Sequence, residues 1–230
     1  MIRYPIFFLV CIAIALNQTP DDRGYIVNVA EKSPDFILDF PDGSQISLKD
    51  LKGQVTLLQF TASWCHVCRE EMPHIEKEIW KVYKNIGLNV IGIDRDEPAE
   101  VVTSFAKEVQ VTYPLALDPG ADIFALFADR DSGVTRNIIL GPDGKIVFLT
   151  RLFEIQEFDQ MKRVIHNLLV DQLREQKNSL IAKKQIINKM KKQQSRSDRY
   201  FTRKLETELY KTERELKRKE RKLTLAQKRL

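Results

Sequence analysis

The stretch Val55 to Thr61 (VTLLQFT) constrains this chain more than any other. Seven consecutive, mostly apolar residues fit a strand buried on both faces, and a sheet covered by helices provides that burial. Four residues after Thr61 stands Cys65-His66-Val67-Cys68, ahead of Ile75, Ile79, Trp80 and Tyr83 at helical spacing. The pattern predicts a strand, a short loop, and a helix from about Cys65 to Tyr83 with two thiols at its start.

The same alternation continues on both sides. Phe36 to Phe40, the Asp42-Gly43 turn and Ile46 to Leu48 predict an N-terminal β-hairpin. Leu88 to Ile93 reads as a strand, Ala99 to Val109 as a helix, Leu115 to Leu117 as a short strand and Asp122 to Phe127 as a helical turn. Arg136 to Leu140 and Lys145 to Thr150 flank an Asp143-Gly144 turn, and a closing helix starts at about Ile155. An order β–α–β then β–β–α predicts an α/β fold with a central mixed sheet flanked by helices. From Lys145 to Leu230 there is no Gly or Pro, so the closing helix is expected to run on into a long C-terminal helical extension. The polar run Lys191 to Arg199 is where an interruption would fall.

Charge divides the chain at the same place. Residues 171–230 hold 20 Lys and Arg against 8 Asp and Glu, and residues 1–170 hold 17 against 24. An acidic body therefore carries a strongly basic tail. At the other end, Arg3 precedes Ile6 to Leu16, an apolar run without charge, and Ala13-Ile14-Ala15 offers a small-x-small cleavage pattern. Residues 1–18 are expected to be a cleaved signal peptide or an uncleaved signal anchor. Residues 19–32 read as a linker, 33–170 as the α/β domain and 171–230 as the basic helical extension. The body is thus expected to be exported, and Cys11 lies inside the targeting segment. Cys65 and Cys68 remain as an even pair in an oxidising compartment.

Two cysteines one helical turn apart can form a disulfide. At a helix start the free N–H groups and the dipole favour a thiolate, the attacking species of thiol–disulfide exchange. Cys65 is the expected nucleophile and Cys68 the resolving thiol. A CxxC is also half a zinc site, but a second pair is missing, with only His66 and His74 nearby. Arg69 stands where haem attachment would need histidine. No metal or cofactor is expected.

The segment FTASWCHVCREEMP, residues 60–73, resembles the active site of the thioredoxin superfamily, above all the exported TlpA/ResA-like thiol–disulfide oxidoreductases. Residues 33–54, the extra strand–helix unit through residues 88–117, and GPDGKIVFLTR resemble the same family, over about residues 28–170. The resemblance implies a thioredoxin-like fold, with Cys65 exposed and Cys68 resolving. Trp64 would shield the disulfide and contact the partner. Glu71 falls where these proteins often carry an acid, three residues after the second cysteine, close enough on a helix to exchange protons with a thiol. Its alternative is a solvated surface glutamate. His66, when protonated, would favour the Cys65 thiolate, whereas the Glu71 carboxylate would oppose ionisation. Pro73 would kink the helix by removing a hydrogen bond to Arg69.

One position departs from the family. Where a cis-proline is usual, before the strand near Asn137, SGVTRNIIL places Thr135 followed by Arg136. A trans bond is expected there. Thr-Arg at this point resembles peroxiredoxins, in which the arginine helps stabilise a reactive thiolate. The Pro and Thr of the peroxiredoxin signature are replaced by Leu58 and Ala62. Arg136 could equally be a salt bridge at a strand start.

In the tail, Leu209, Leu216, Leu223 and Leu230 recur every seven residues, as do Leu173, Leu180 and Ile187. This is half a coiled-coil seam, consistent with weak self-association. The leading expectation is a solvated, partly frayed helix without a dedicated partner. An anionic membrane surface is a second reading, while nucleic acid is not expected for an exported protein. The whole points to an exported, periplasmic thiol–disulfide oxidoreductase, a reductase of protein disulfides with an upstream dithiol donor. A thiol peroxidase and a tail-driven membrane- or partner-binding protein are the alternatives.

Overall fold

The structure, a computed structural model, describes residues 23–193 and 199–230. The expected signal segment, residues 1–18, lies outside the described residues, as does the centre of the expected interruption between Lys191 and Arg199.

β1 (Ile37–Asp39) and β2 (Gln45–Ser47) form the N-terminal hairpin, with Ile37 opposite Ser47. Its turn rests on Gly43 at φ +82°, a conformation that glycine adopts without strain, and on Asp42, whose Oδ1 accepts the Ser44 N–H at 2.9 Å. A short helix α1 (Leu48–Leu51) follows, capped reciprocally by Ser47 and Asp50. β3 (Val55–Thr61) is buried at every residue. It lies between β4 (Leu88–Arg95), to which it is parallel, and β6 (Arg136–Leu140), to which it is antiparallel. β5 (Leu115–Asp118) and β7 (Ile146–Arg151) complete a seven-stranded mixed sheet of order β2-β1-β5-β4-β3-β6-β7.

Alternation along β3 separates two faces. On one, Gln59 and Thr61 meet the helix after the cysteines. On the other, Phe60 packs edge-on against Phe124 at 5.3 Å and near Phe127 at 5.7 Å, beside the 3-10 turn Phe124–Leu126. The predicted single helix Cys65–Tyr83 is three pieces: α2 (His66–His74), a π-helical segment Ile75–Trp80, and α3 (Lys81–Tyr83). Pro73 sits in the last turn of α2, where its missing N–H and ring disturb the regular ladder, and the wider i→i+5 bonding begins two residues later. Ile75, Ile79 and Tyr83 are buried as expected, while Trp80 is half-buried and donates from Nε1 to Thr112 Oγ1 at 3.0 Å. α4 (Ala99–Glu108) links β4 to β5.

The closing helix α5 (Ile155–Gln193) is 39 residues long. It begins at the cysteine end of the sheet, where Glu157 accepts from the Arg151 N–H, and runs back along the sheet. Tyr83 faces His166 across it, both buried, with Tyr83 Oη 3.3 Å from His166 Nδ1. At Gln172 it passes Gly53, just ahead of β3, and leaves the sheet at the pole opposite the cysteines.

The extension differs from the expected solvated helix. α6 (Arg199–Gln227) returns antiparallel along α5. Lys177 pairs with Glu220, Lys184 with Glu213 at 2.5 Å, and Lys191 with Glu206. Each step of seven along α5 is matched by seven back along α6. Leu173, Leu180 and Ile187 from α5 and Leu216 and Leu223 from α6 are buried in the same seam. The companion heptad position holds lysine on α5 and glutamate on α6, so layers of leucine alternate with layers of ion pairs. That is why half a seam suffices: each charged layer is completed by the other helix.

Candidate active site

Cys65 occupies the N-cap of α2, and its Sγ accepts the Cys68 N–H at 3.1 Å. The two cysteines form a disulfide, Cα atoms 5.3 Å apart. The Cys68 N–H belongs to the first turn of α2, where a helix start and its dipole stabilise negative charge on the capping sulfur. Cys65 is 7% exposed and Cys68 fully buried, which leaves Cys65 the outer sulfur. Trp64 beside it is 63% exposed, and His66 is exposed on the same rim. Pro73 is exposed one helix length away.

Thr135 reaches both sulfurs: its Oγ1 lies 3.2 Å from Cys65 Sγ and 3.3 Å from Cys68 Sγ. Among the described residues no peptide bond is cis, so the bond before Thr135 is trans as expected. Arg136 is not brought to the dithiol. It follows Thr135 on the strand and projects to the other face, where its guanidinium lies 4.5 Å from the Tyr25 ring centre and Nη2 donates to Ser132 at 2.8 Å. Tuning of the cysteines by Arg136 therefore has no geometric support; the residue is fully buried in packing with aromatic rings.

Glu71 is the opposite case. It is 1% exposed, not a surface glutamate, because α2 lays it directly over the sheet. Asn137 Nδ2 donates to its Oε1 at 2.6 Å and Gln59 Nε2 to its Oε2 at 3.1 Å. Tyr113 in turn donates to Gln59 Oε1 at 2.7 Å, and Asn137 also donates to Thr150 Oγ1 at 2.9 Å. Burial pushes the Glu71 carboxyl up to about 7, against the lowering effect of the two amide donors. A carboxyl one helical turn from Cys68 thus titrates within the range where thiols exchange protons.

Gln59 and Asn137 escaped the sequence reading, although each left a signal: a single amide in the apolar runs VTLLQFT and RNIIL. Their register explains the pairing, since Gln59 and Asn137 are direct neighbours across β3 and β6. A second set fixes the loop before Cys65. Glu97 accepts from the Ser63 N–H and hydroxyl, both at 2.5 Å, and Arg69 Nε donates to the Ser63 carbonyl at 2.6 Å. Asp94, paired with Thr61 across the strands, is fully buried and met by no donor. Burial first, then the Glu97 carboxylate, push it up to about 8. His74 lies on the surface against Glu78, and His166 is buried beside Tyr83. Among the described residues no group of three or more His, Cys, Asp or Glu converges as metal ligands would.

The AhpC/TSA family model matches residues 29–149. A thiol–disulfide oxidoreductase ResA of Bacillus cereus is 31% identical over 121 residues, 53% of this chain and 68% of that protein. ResA of Bacillus thuringiensis subsp. konkukian is 28% identical over 152 residues, 64% and 84% of the two chains. Among solved structures, a candidate protein disulfide isomerase from Bacteroides thetaiotaomicron is 56% identical at a TM-score of 0.62, covering 64% of this chain and 92% of its own. A candidate thiol:disulfide interchange protein DsbE from Chlorobium tepidum is 25% identical at a TM-score of 0.56, covering 62% and 99%. The family model spans the sheet domain and its dithiol, and by these similarities the chain belongs to the AhpC/TSA family of the thioredoxin superfamily and is an enzyme of the thiol–disulfide oxidoreductase class.

Proposed function

We propose that this enzyme is an exported, periplasmic reductase of protein disulfides. Residues 33–170 are the redox domain and the basic helices of 171–230 an appendage. The observation that carries the proposal is the Cys65–Cys68 pair at the N-terminus of α2 with the buried Glu71 one turn below it. In the reduced enzyme the Cys65 thiolate attacks one sulfur of a substrate disulfide, forming a mixed disulfide and expelling the other sulfur as a thiolate. Glu71 takes the proton of Cys68, whose thiolate then attacks Cys65 Sγ. The second substrate thiolate leaves, and the enzyme is left as the Cys65–Cys68 disulfide. An upstream dithiol donor returns two electrons by the same exchange in reverse. Trp64 and His66 contact the substrate at the rim. Thr135 offers its hydroxyl to the sulfurs where the family usually has proline. The uncharged run Ile6 to Leu16 supports export.

Replacing Cys68→Ser stops the second exchange and accumulates a covalent complex through Cys65, visible on non-reducing gels. If no such complex forms and Cys65→Ser keeps its activity, the mechanism is wrong. A reduction potential of about −270 mV supports the reductase direction, and one of about −120 mV reverses it. The peroxidase alternative loses its motivating residue, since Arg136 lies across the sheet from the dithiol.

A further inference from the structure

The seam between α5 and α6 places Glu206, Glu213 and Glu220 toward α5. The far side of α6 is left to bases. At about 100° per residue, Arg203, Lys204, Lys211, Arg214, Arg218 and Arg221 fall in one stripe about 100° wide, with Lys222 at its edge. It runs for about 27 Å along the helix. No acidic residue shares it, and its bases are exposed apart from the half-buried Lys222. Among the described residues Arg203, Lys204, Arg218 and Arg221 have no ion pair, while Lys211 reaches Glu208 at the stripe's edge and Arg214 lies over the Tyr210 ring. Like charges held in a row without neutralisation raise a positive potential that a matching anionic surface relieves.

We infer that this outer face of α6 docks on an anionic lipid bilayer. Three observations favour a bilayer. α5 covers the inner side of α6, so the stripe offers one flat line of charge rather than a helix open on all sides. Tyr210 and Leu225 project from among the bases at 62% and 60% exposure, the composition of a helix that rests in the headgroup layer. The same chain carries the apolar run Ile6 to Leu16, the segment on which the proposed export rests. With the stripe on the bilayer the α5–α6 hairpin lies along the surface; because α5 leaves the sheet beside Gly53 and extends about 30 Å further to Gln193, Cys65, beyond the opposite end of β3, is set off along the membrane plane from the docking face. This inference does not depend on the direction of the redox reaction.

The test uses the whole chain, so that residues 1–18 contribute equally throughout. Binding is measured by flotation with phosphatidylcholine vesicles and with mixed phosphatidylglycerol–phosphatidylcholine vesicles. The expected result is tighter binding to the anionic vesicles, weakening as salt is added. The variant Arg203→Gln/Lys204→Gln/Arg218→Gln/Arg221→Gln loses more than about a hundredfold of that preference, since each base near an anionic surface is worth about fivefold. The variant Arg203→Lys/Arg218→Lys/Arg221→Lys retains it. Circular dichroism and disulfide reduction by the glutamine variant match the wild type. Equal binding to both vesicles, or an unchanged glutamine variant, overturns the inference. So does a duplex DNA that displaces the protein from anionic vesicles, which would make nucleic acid the partner.

Discussion

Glu71 and Glu213 are both glutamates in helices with partners at hydrogen-bond distance, and they behave in opposite ways. Glu71 is sealed between α2 and the sheet, where two neutral amides fail to offset burial, and its carboxyl is raised to about 7. Glu213 faces Lys184 and Lys217 at the half-buried edge of the seam, and those ammonium groups hold its carboxyl below the ordinary range. The redox pole thus isolates single charges where a change of protonation alters chemistry. The hairpin pairs its charges, so that they select a register and change little else.

The largest contrast lies in packing. Phe60 is fully buried between Phe124 and Phe127, and Phe60→Ala is expected to cost about 3–5 kcal/mol in urea denaturation. Leu216→Ala opens a cavity in a seam only two helices thick, at the lower end of the range for leucine, about 2 kcal/mol. It should leave disulfide reduction intact; a matching loss of activity would mean that the hairpin and the redox pole are not separable.

Glu71→Gln sharpens the electrostatic side. The folded-state pKa lies above the unfolded value, so the native protein holds a proton that the unfolded chain releases. Stability from this group is present at acid pH and is lost as pH rises from about 4.5 to about 7. The variant should be more stable than wild type at pH 8, by on the order of 2 kcal/mol, and nearly equal at pH 4. Asp94, raised for the same reason, keeps part of the slope in both proteins. Resolution of the mixed disulfide should slow and lose its ionisation near pH 7. An unchanged pH profile would remove Glu71 from proton transfer. Lys184→Gln is the smallest effect expected: a shift of the unfolding midpoint close to the error of measurement, since the pair lies at the solvent-screened edge of the seam and Glu213 keeps Lys217.

Much of the fold was legible because its signals are local. The run Val55–Thr61, the CxxC after it and the Asp-Gly turns each announce an element without reference to the others. The start of α5 at Ile155 falls where the pattern placed it. What the sequence hid depends on pairing between distant parts. Lysines at 177, 184 and 191 read as solvated charge until the register sets them against Glu220, Glu213 and Glu206. Glu71 and Glu70 are neighbours of the same type, and only the sheet beneath α2 buries one of them. The π-helical segment after Pro73 is hidden for a related reason, since proline announces a disturbance but not how the next turn absorbs it.

The contact between Thr135 and the two sulfurs has one more consequence. In the disulfide neither sulfur carries hydrogen, so the hydroxyl can only donate. After reduction it can accept from one thiol while donating to the other, and its rotor has a different preferred direction in each state. A proline at this point would present the same face to both. The threonine, one residue ahead of β6, carries a single O–H bond whose direction depends on how many electrons the dithiol holds.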